Sequence, residues 1–116
     1  MNAPATIATI VFDAADPAKL AAFYAQLTGW EVSYQDEDFH HLGNGPIKLG
    51  FQRVADYRGP GWPDPAKHAH LDLNVTNLDA AVETALGLGA QKPEFQPGDS
   101  WVVLTDPEGH PFCLVS

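Results

Sequence analysis

Apolar and polar positions follow a pattern that changes period several times along the chain. Thr6 to Phe12 alternates and is β-branched, which predicts a strand. Asp16-Pro17 then supplies an N-cap residue followed by proline at the first helical position. From Ala18 to Leu27 the apolar residues Leu20, Phe23, Tyr24 and Leu27 recur at helical spacing, and Gly29 is a stop signal. Three short strands are predicted next, over Trp30–Gln35, Phe39–Leu42 and Ile47–Val54, with Gly43-Asn44-Gly45-Pro46 turning the chain before the last. Residues 55–67 carry Gly59, Pro60, Gly61, Pro63 and Pro65 and predict a crossing loop, because proline removes ladder donors.

After this loop the pattern restarts. His68 to Val75 predicts a strand, Asn77 an N-cap and Leu78–Leu88 a helix ending at Gly87 or Gly89. Gln91–Phe95, Trp101–Leu104 and Pro111–Val115 read as short strands, with Asp106-Pro107-Glu108-Gly109 as the turn between the last two. The second half repeats the first: Thr9 falls on His70, Ile10 on Leu71, Phe12 on Leu73, Asp16 on Asn77 and Leu27 on Leu88. The late strands match with a slightly larger shift, Ile47 on Phe112 and Leu49 on Leu114. The expected class is therefore α+β: one domain over 1–116, made of βαβββ modules 1–54 and 68–116 joined by loop 55–67. Neither module is large enough to hold a core alone, so the two must pair.

Period-2 alternation also separates the strand faces. Ala69, Leu71, Leu73 and Val75 belong under the second helix, leaving His68, His70, Asp72 and Asn74 opposite. Ile47, Leu49, Phe51 and Val54 face inward, while Lys48, Gly50 and Gln52 look the other way. Phe112 and Leu114 oppose Pro111, Cys113 and Val115. Helices on one side and a polar concave face on the other make a cup for a ligand. The adjacent His40 and His41 must point to opposite faces, so at most one enters it, and His110 is expected to be exposed in its turn.

Composition narrows the partners. Fifteen acidic against six basic residues give a net charge of -9, which excludes the basic footprint of a nucleic-acid binder and disfavours anionic membranes. Charged residues are 18% of the chain, low enough to suggest a surface covered by a second copy. The single Cys113 rules out an internal disulfide framework and fits a reducing cytoplasm. Met1 to Ile10 lacks the basic and apolar runs of a signal peptide or a membrane span.

Several stretches together carry a family resemblance. Asp16-Pro17, Phe23-Tyr24, Leu27-Thr28-Gly29-Trp30, Trp62-Pro63-Asp64-Pro65, His70-Leu71-Asp72-Leu73 and the run from Asp106 to Leu114 resemble the vicinal oxygen chelate superfamily. That superfamily includes glyoxalase I, bleomycin-resistance proteins and extradiol dioxygenases, and the chain is most similar to small bacterial glyoxalase-like domain proteins. The resemblance implies the paired-module fold with a cup. In the enzymes it implies a divalent metal held by four side chains, whose slots here are Thr9, Lys48, His70 and Cys113, or Gly50 for Lys48 if the alignment slips by two. Of these, His70 retains the expected ligand chemistry. Alternate residues on one strand, such as His68, His70 and Asp72, are expected to span too far to close a metal shell.

The expected function is binding of a small organic molecule in the cup or in the crevice of a homodimer, with no cofactor. Candidate contacts are His68, His70, Asp72, Lys48, Gln52 and Cys113, with Trp62 as a lid and Trp101, Phe51 and Tyr57 as further aromatic surface. The alternative is a metal-dependent lyase, isomerase or dioxygenase with His70 as a metal ligand.

Overall fold

The computed structural model describes residues 7–116. Residues 1–6 lie outside the described residues; they include Thr6, where the first strand was expected to begin, and the larger part of the Met1–Ile10 segment in which no leader was expected. The chain divides into two compact units, one ending at Tyr57 and the other covering Arg58–Ser116.

In the first unit the elements run β1 (Thr9–Ala14), α1 (Pro17–Thr28), β2 (Val32–Gln35), β3 (Phe39–Leu42) and β4 (Lys48–Arg53). The sheet order is β1-β4-β3-β2, with β1 parallel to β4 and the other pairs antiparallel. β1 begins three residues later and ends two later than the alternation suggested, because a parallel ladder extends only as far as its partner. Its pairing runs from Thr9↔Lys48 to Ala14↔Arg53. The Asp16 side chain caps α1 by accepting from the Lys19 amide at 3.2 Å, and Gly29 ends it at φ 77° with its N–H donating to Ala25 O. The helix buries Pro17, Leu20, Ala21, Phe23 and Tyr24. Tyr24 stacks on Phe51 at 5.5 Å and on Phe12 at 6.2 Å, with Phe23 edge-on at 5.0 Å. Phe51 is fully buried in this aromatic core, so it is a packing residue and not a ligand contact. β2 starts at Val32, not Trp30, since Trp30 turns away to lay its indole over Gly43, where a Cβ would stand 2.7 Å from the ring.

The second unit contains β5 (Leu71–Asn74), α2 (Leu78–Leu88), β6 (Trp101–Thr105) and β7 (Pro111–Val115), in sheet order β5-β7-β6. Again the strand before the helix is parallel to the last strand, and Asn77 caps α2 through the Ala80 amide. The strand expected over Gln91–Phe95 is reduced to one bridge, Gln91↔Thr105. Pro93 has no amide to continue the ladder. The Gln96 carboxamide takes the strand's place: its Oε1 accepts from Val103 N and its Nε2 donates to Val103 O, both at 2.9 Å. β5 is also shorter than expected, so His68, Ala69 and His70 precede the strand, exposed.

Within the second unit, the part of the loop that carries Gly59 and Gly61 is pinned by the turn that joins β6 to β7. Gly59 and Gly61 donate to Glu108 O and Gly109 O at 2.8 and 2.7 Å. A Cβ on Gly59 would fall 2.5 Å from Glu108 O, so only glycine allows this approach. The turn holds itself. Asp106 Oδ1 accepts from the Glu108 and His110 amides at 2.8 and 3.1 Å, and Oδ2 lies 2.7 Å from His110 Nδ1. His110 is thus buried rather than exposed: its ring has a partner inside the turn and does not need water. Among the described residues, no helix is long and apolar enough to cross a membrane.

Candidate functional site

Register decides what each sheet presents on the side away from its helix. In the second unit Asp72 pairs with Cys113 and Cys113 with Val103, while Asn74, Val115 and Trp101 form the next row. The apolar row Leu71, Phe112 and Leu104 lies on the opposite face. His70 stands two residues before Asp72, and the two side chains converge, with His70 Nε2 3.2 Å from Asp72 Oδ1. The expectation that such alternate residues span too far is therefore wrong for this pair. His70 lies just outside β5, and an imidazole is long enough to reach along the strand direction to its neighbour.

These residues open on a cleft of about 350 Å³ lined by His70, Asp72, Ser100, Trp101, Cys113, Val115 and Ser116. Trp101 forms its aromatic wall. Its indole packs against Gly98, where a Cβ would sit 2.3 Å from the ring, so the absence of a side chain there sets the ring's position. Asp72 and His70 contribute exposed polar groups at 63% and 42% side-chain exposure, whereas Cys113 is buried. Burial pushes the Cys113 thiol above its ordinary value, helped by the negative charge of Asp72 and by the hydrogen bond the thiol donates to that carboxylate. Cys113 is accordingly a protonated thiol near neutral pH and not an activated nucleophile.

The remaining sequence candidates fall elsewhere. His68 is exposed and does not line the cleft. Trp62 donates through Nε1 to Phe95 O at 3.1 Å and carries Lys67 Nζ 4.7 Å from its ring centroid. It belongs to a second, wider cleft of about 610 Å³ with Pro63, Glu94, Phe95 and Gln96. Lys48 and Gln52 sit on the first unit's sheet, on one face with Thr9, Phe39 and His41. His40 takes the other face, beside Phe51 in register with it, and its buried Nδ1 has no hydrogen-bond partner among the described residues. Ser100 and Ser116 were not foreseen. Neither carries a pattern signal, since each lies just beyond a strand end, but Val115 was legible from its alternation with Cys113.

The four slots implied for a metal can now be tested against the registers. Val11 pairs with Gly50 as Asp72 pairs with Cys113, so Gly50 and not Lys48 is the counterpart of Cys113. Glycine offers no side-chain donor, Lys48 would bring a cation, and Thr9 a neutral hydroxyl, which is a weak ligand. The four-side-chain centre does not fit this chain. A different group does come together: one donor atom each from His70, Asp72 and Cys113, all within 4.8 Å of one another.

Comparison with known proteins agrees with this architecture. A family model described as "Glyoxalase-like domain" matches residues 9–115. A glyoxalase/bleomycin resistance protein/dioxygenase family enzyme from Burkholderia phytofirmans is similar with a TM-score of 0.75 at 21% identity, covering 95% of this chain and 97% of that one. A glyoxalase family protein from Enterococcus faecalis gives 0.71 at 18% identity, over 96% and 97% of the two chains. A bleomycin-binding protein from Streptomyces verticillus, solved with copper(II)-bleomycin, gives 0.61 at 19% identity, over 99% and 98%. Among curated proteins, none matches the sequence closely enough to count as a relative.

Proposed function

Because the chain belongs to the glyoxalase-like domain family, within the vicinal oxygen chelate superfamily, we propose that it binds a small organic molecule in the second unit's cleft without the four-side-chain metal centre. One observation carries the reading: a tryptophan wall, Trp101, and a carboxylate, Asp72, border the same cleft. A ring gives stacking area, and an exposed carboxylate favours a cationic group on the ligand. The net charge of -9 steers in the same direction. The copper(II)-bleomycin complex of the Streptomyces verticillus protein lends general support, as an organic ligand held by a protein of this fold.

The test is a thermal-shift and calorimetric screen of cationic and aromatic compounds on chelator-treated protein. A hit that Trp101→Ala abolishes and Asp72→Asn weakens supports the reading. Hits that bind both variants as tightly as the parent overturn it. The proposal extends to a homodimer in a reducing cytoplasm, supported by the low charge fraction, by exposed Ile10, Val11, Val32 and Tyr34, and by a lone buried thiol. Sedimentation equilibrium showing a 12.5 kDa particle at micromolar concentration would exclude the dimer.

The His70, Asp72 and Cys113 cluster favours a second reading, a metal-dependent lyase, isomerase or dioxygenase. Under it, His70→Ala loses turnover and metal uptake while the fold survives; unchanged metal content in that variant removes it.

A further inference from the structure

Three donors of different chemistry meet at the cleft floor: an imidazole, a carboxylate and a thiol. Asp72 and Cys113 are locked opposite each other by the parallel ladder of β5 and β7, and His70 reaches in from the residue just before β5. Around a tetrahedral ion with bonds of about 2.0–2.3 Å, neighbouring donor atoms stand about 3.3–3.7 Å apart. His70 Nε2 and Asp72 Oδ1, at 3.2 Å, already have that spacing. A pair at the 4.8 Å that bounds the cluster would have to contract by about 1.1–1.5 Å. The two exposed side chains can supply this by rotamer adjustment, while Cys113 stays anchored in the sheet.

We propose that His70, Asp72 and Cys113 bind one borderline-soft divalent cation of the zinc class, in a three-side-chain site contained within the second unit, with a fourth position open to the cleft. The donor set selects the ion. Thiolate and imidazole suit zinc and its neighbours, whereas magnesium and calcium need oxygen ligands throughout. The site takes nothing from Thr9, Lys48 or Gly50; it keeps two of the superfamily's four slots, His70 and Cys113, and adds Asp72, so its ligand set differs from the four-slot centre. It goes beyond the binding reading and stands independently of it, although the open position faces the same cleft as Trp101. On binding, the S–H bond of Cys113 ionises and its proton passes to solvent as the sulfur–metal bond forms. One thiolate and one carboxylate then neutralise the dication, and the ion replaces the hydrogen bond between the thiol and Asp72 and the contact between His70 and Asp72.

Cobalt(II) is the probe, titrated into the chelator-stripped full chain and followed by absorption. The expected result is one cobalt per chain, with the intense visible bands of tetrahedral coordination and a near-ultraviolet thiolate-to-cobalt band, displaced by zinc and not by magnesium. Cys113→Ser should remove the thiolate band, and His70→Gln and Asp72→Asn should each weaken binding at least about tenfold. Because His70 is exposed, His70→Gln keeps the test open even if Cys113→Ser fails to fold. A parent protein with no thiolate band, or undiminished affinity in His70→Gln, overturns the proposal. A compound that binds metal-stripped protein while no cobalt band appears overturns it and leaves the binding reading intact. A cobalt band without any organic ligand supports it and counts against that reading.

Discussion

Replacing Asp106 by alanine is expected to destabilise the second unit more than any other single change in its turns. The carboxylate is 2% exposed and works at both oxygens. Oδ1 accepts the Glu108 and His110 amides at 2.8 and 3.1 Å, and Oδ2 meets His110 Nδ1 at 2.7 Å, with that ring also buried. Hydrogen bonds to a charged group contribute about 1.5–3 kcal/mol each, but removing one acceptor lets water reach part of what it leaves. Losing one partner of a buried pair costs about 3–5 kcal/mol, and we take that range for Asp106→Ala. Asp106→Asn keeps an oxygen for the two amides but loses the charge and puts an NH2 donor in place of the oxygen that meets His110 Nδ1, which the ring accepts only as its other tautomer, so about 1–2 kcal/mol is expected. For a domain of this size the alanine variant should melt roughly 12–20 °C lower, out of a total stability of about 5–15 kcal/mol.

Urea unfolding followed by far-ultraviolet circular dichroism gives both values, provided the m-value is unchanged. Hydrogen exchange supplies a second readout. The Gly59 and Gly61 amides, which donate to Glu108 and Gly109, should lose protection in Asp106→Ala as the turn loosens. A loss below about 1 kcal/mol for alanine, or equal losses for alanine and asparagine, would refute the view that this carboxylate organises the turn.

The other predictions concern the cleft and its edge. Gln96→Ala should cost about 1–3 kcal/mol and speed hydrogen exchange at the Val103 amide, with Gln96→Glu intermediate because it keeps the acceptor and loses the donor. Gly98→Ala places a Cβ 2.3 Å from the Trp101 ring, so the indole must shift, costing about 1–3 kcal/mol and changing its fluorescence maximum and any ligand affinity. Cys113 should react slowly with iodoacetamide at pH 8, and Asp72→Asn should accelerate the reaction severalfold, because it removes two of the three causes holding the proton on. Since the folded thiol ionises above the ordinary 9.0 and the unfolded one near it, stability is complete below about pH 9 and falls as pH rises toward the folded value. The fall should be shallower in Cys113→Ala than in the parent, measured by urea midpoints from pH 8 to 11.

Local chemistry in the sequence determined much of this protein. The caps Asp16 and Asn77, the terminators Gly29 and Gly89, and the strand at Pro111–Val115 stand where short-range rules put them, since each depends on a few neighbouring residues. The alternation that put Asp72, Cys113 and Val115 on one type of face, and Phe112 and Leu114 on the other, holds for the same reason. What tertiary structure alone decided are the matters of pairing. Partner length moved β1 to Thr9–Ala14, and Pro93 with the Gln96 carboxamide turned an expected strand into a single bridge. Burial by the turn made His110 structural, and packing on Gly98 set the cleft wall at Trp101 while Trp62 went to a cleft of its own. The parallel registers chose Gly50 over Lys48 as the counterpart of Cys113, and side-chain reach brought His70 to Asp72. These outcomes depend on atoms far apart in the chain meeting within a few ångströms, and periodicity along one segment carries no record of its partner.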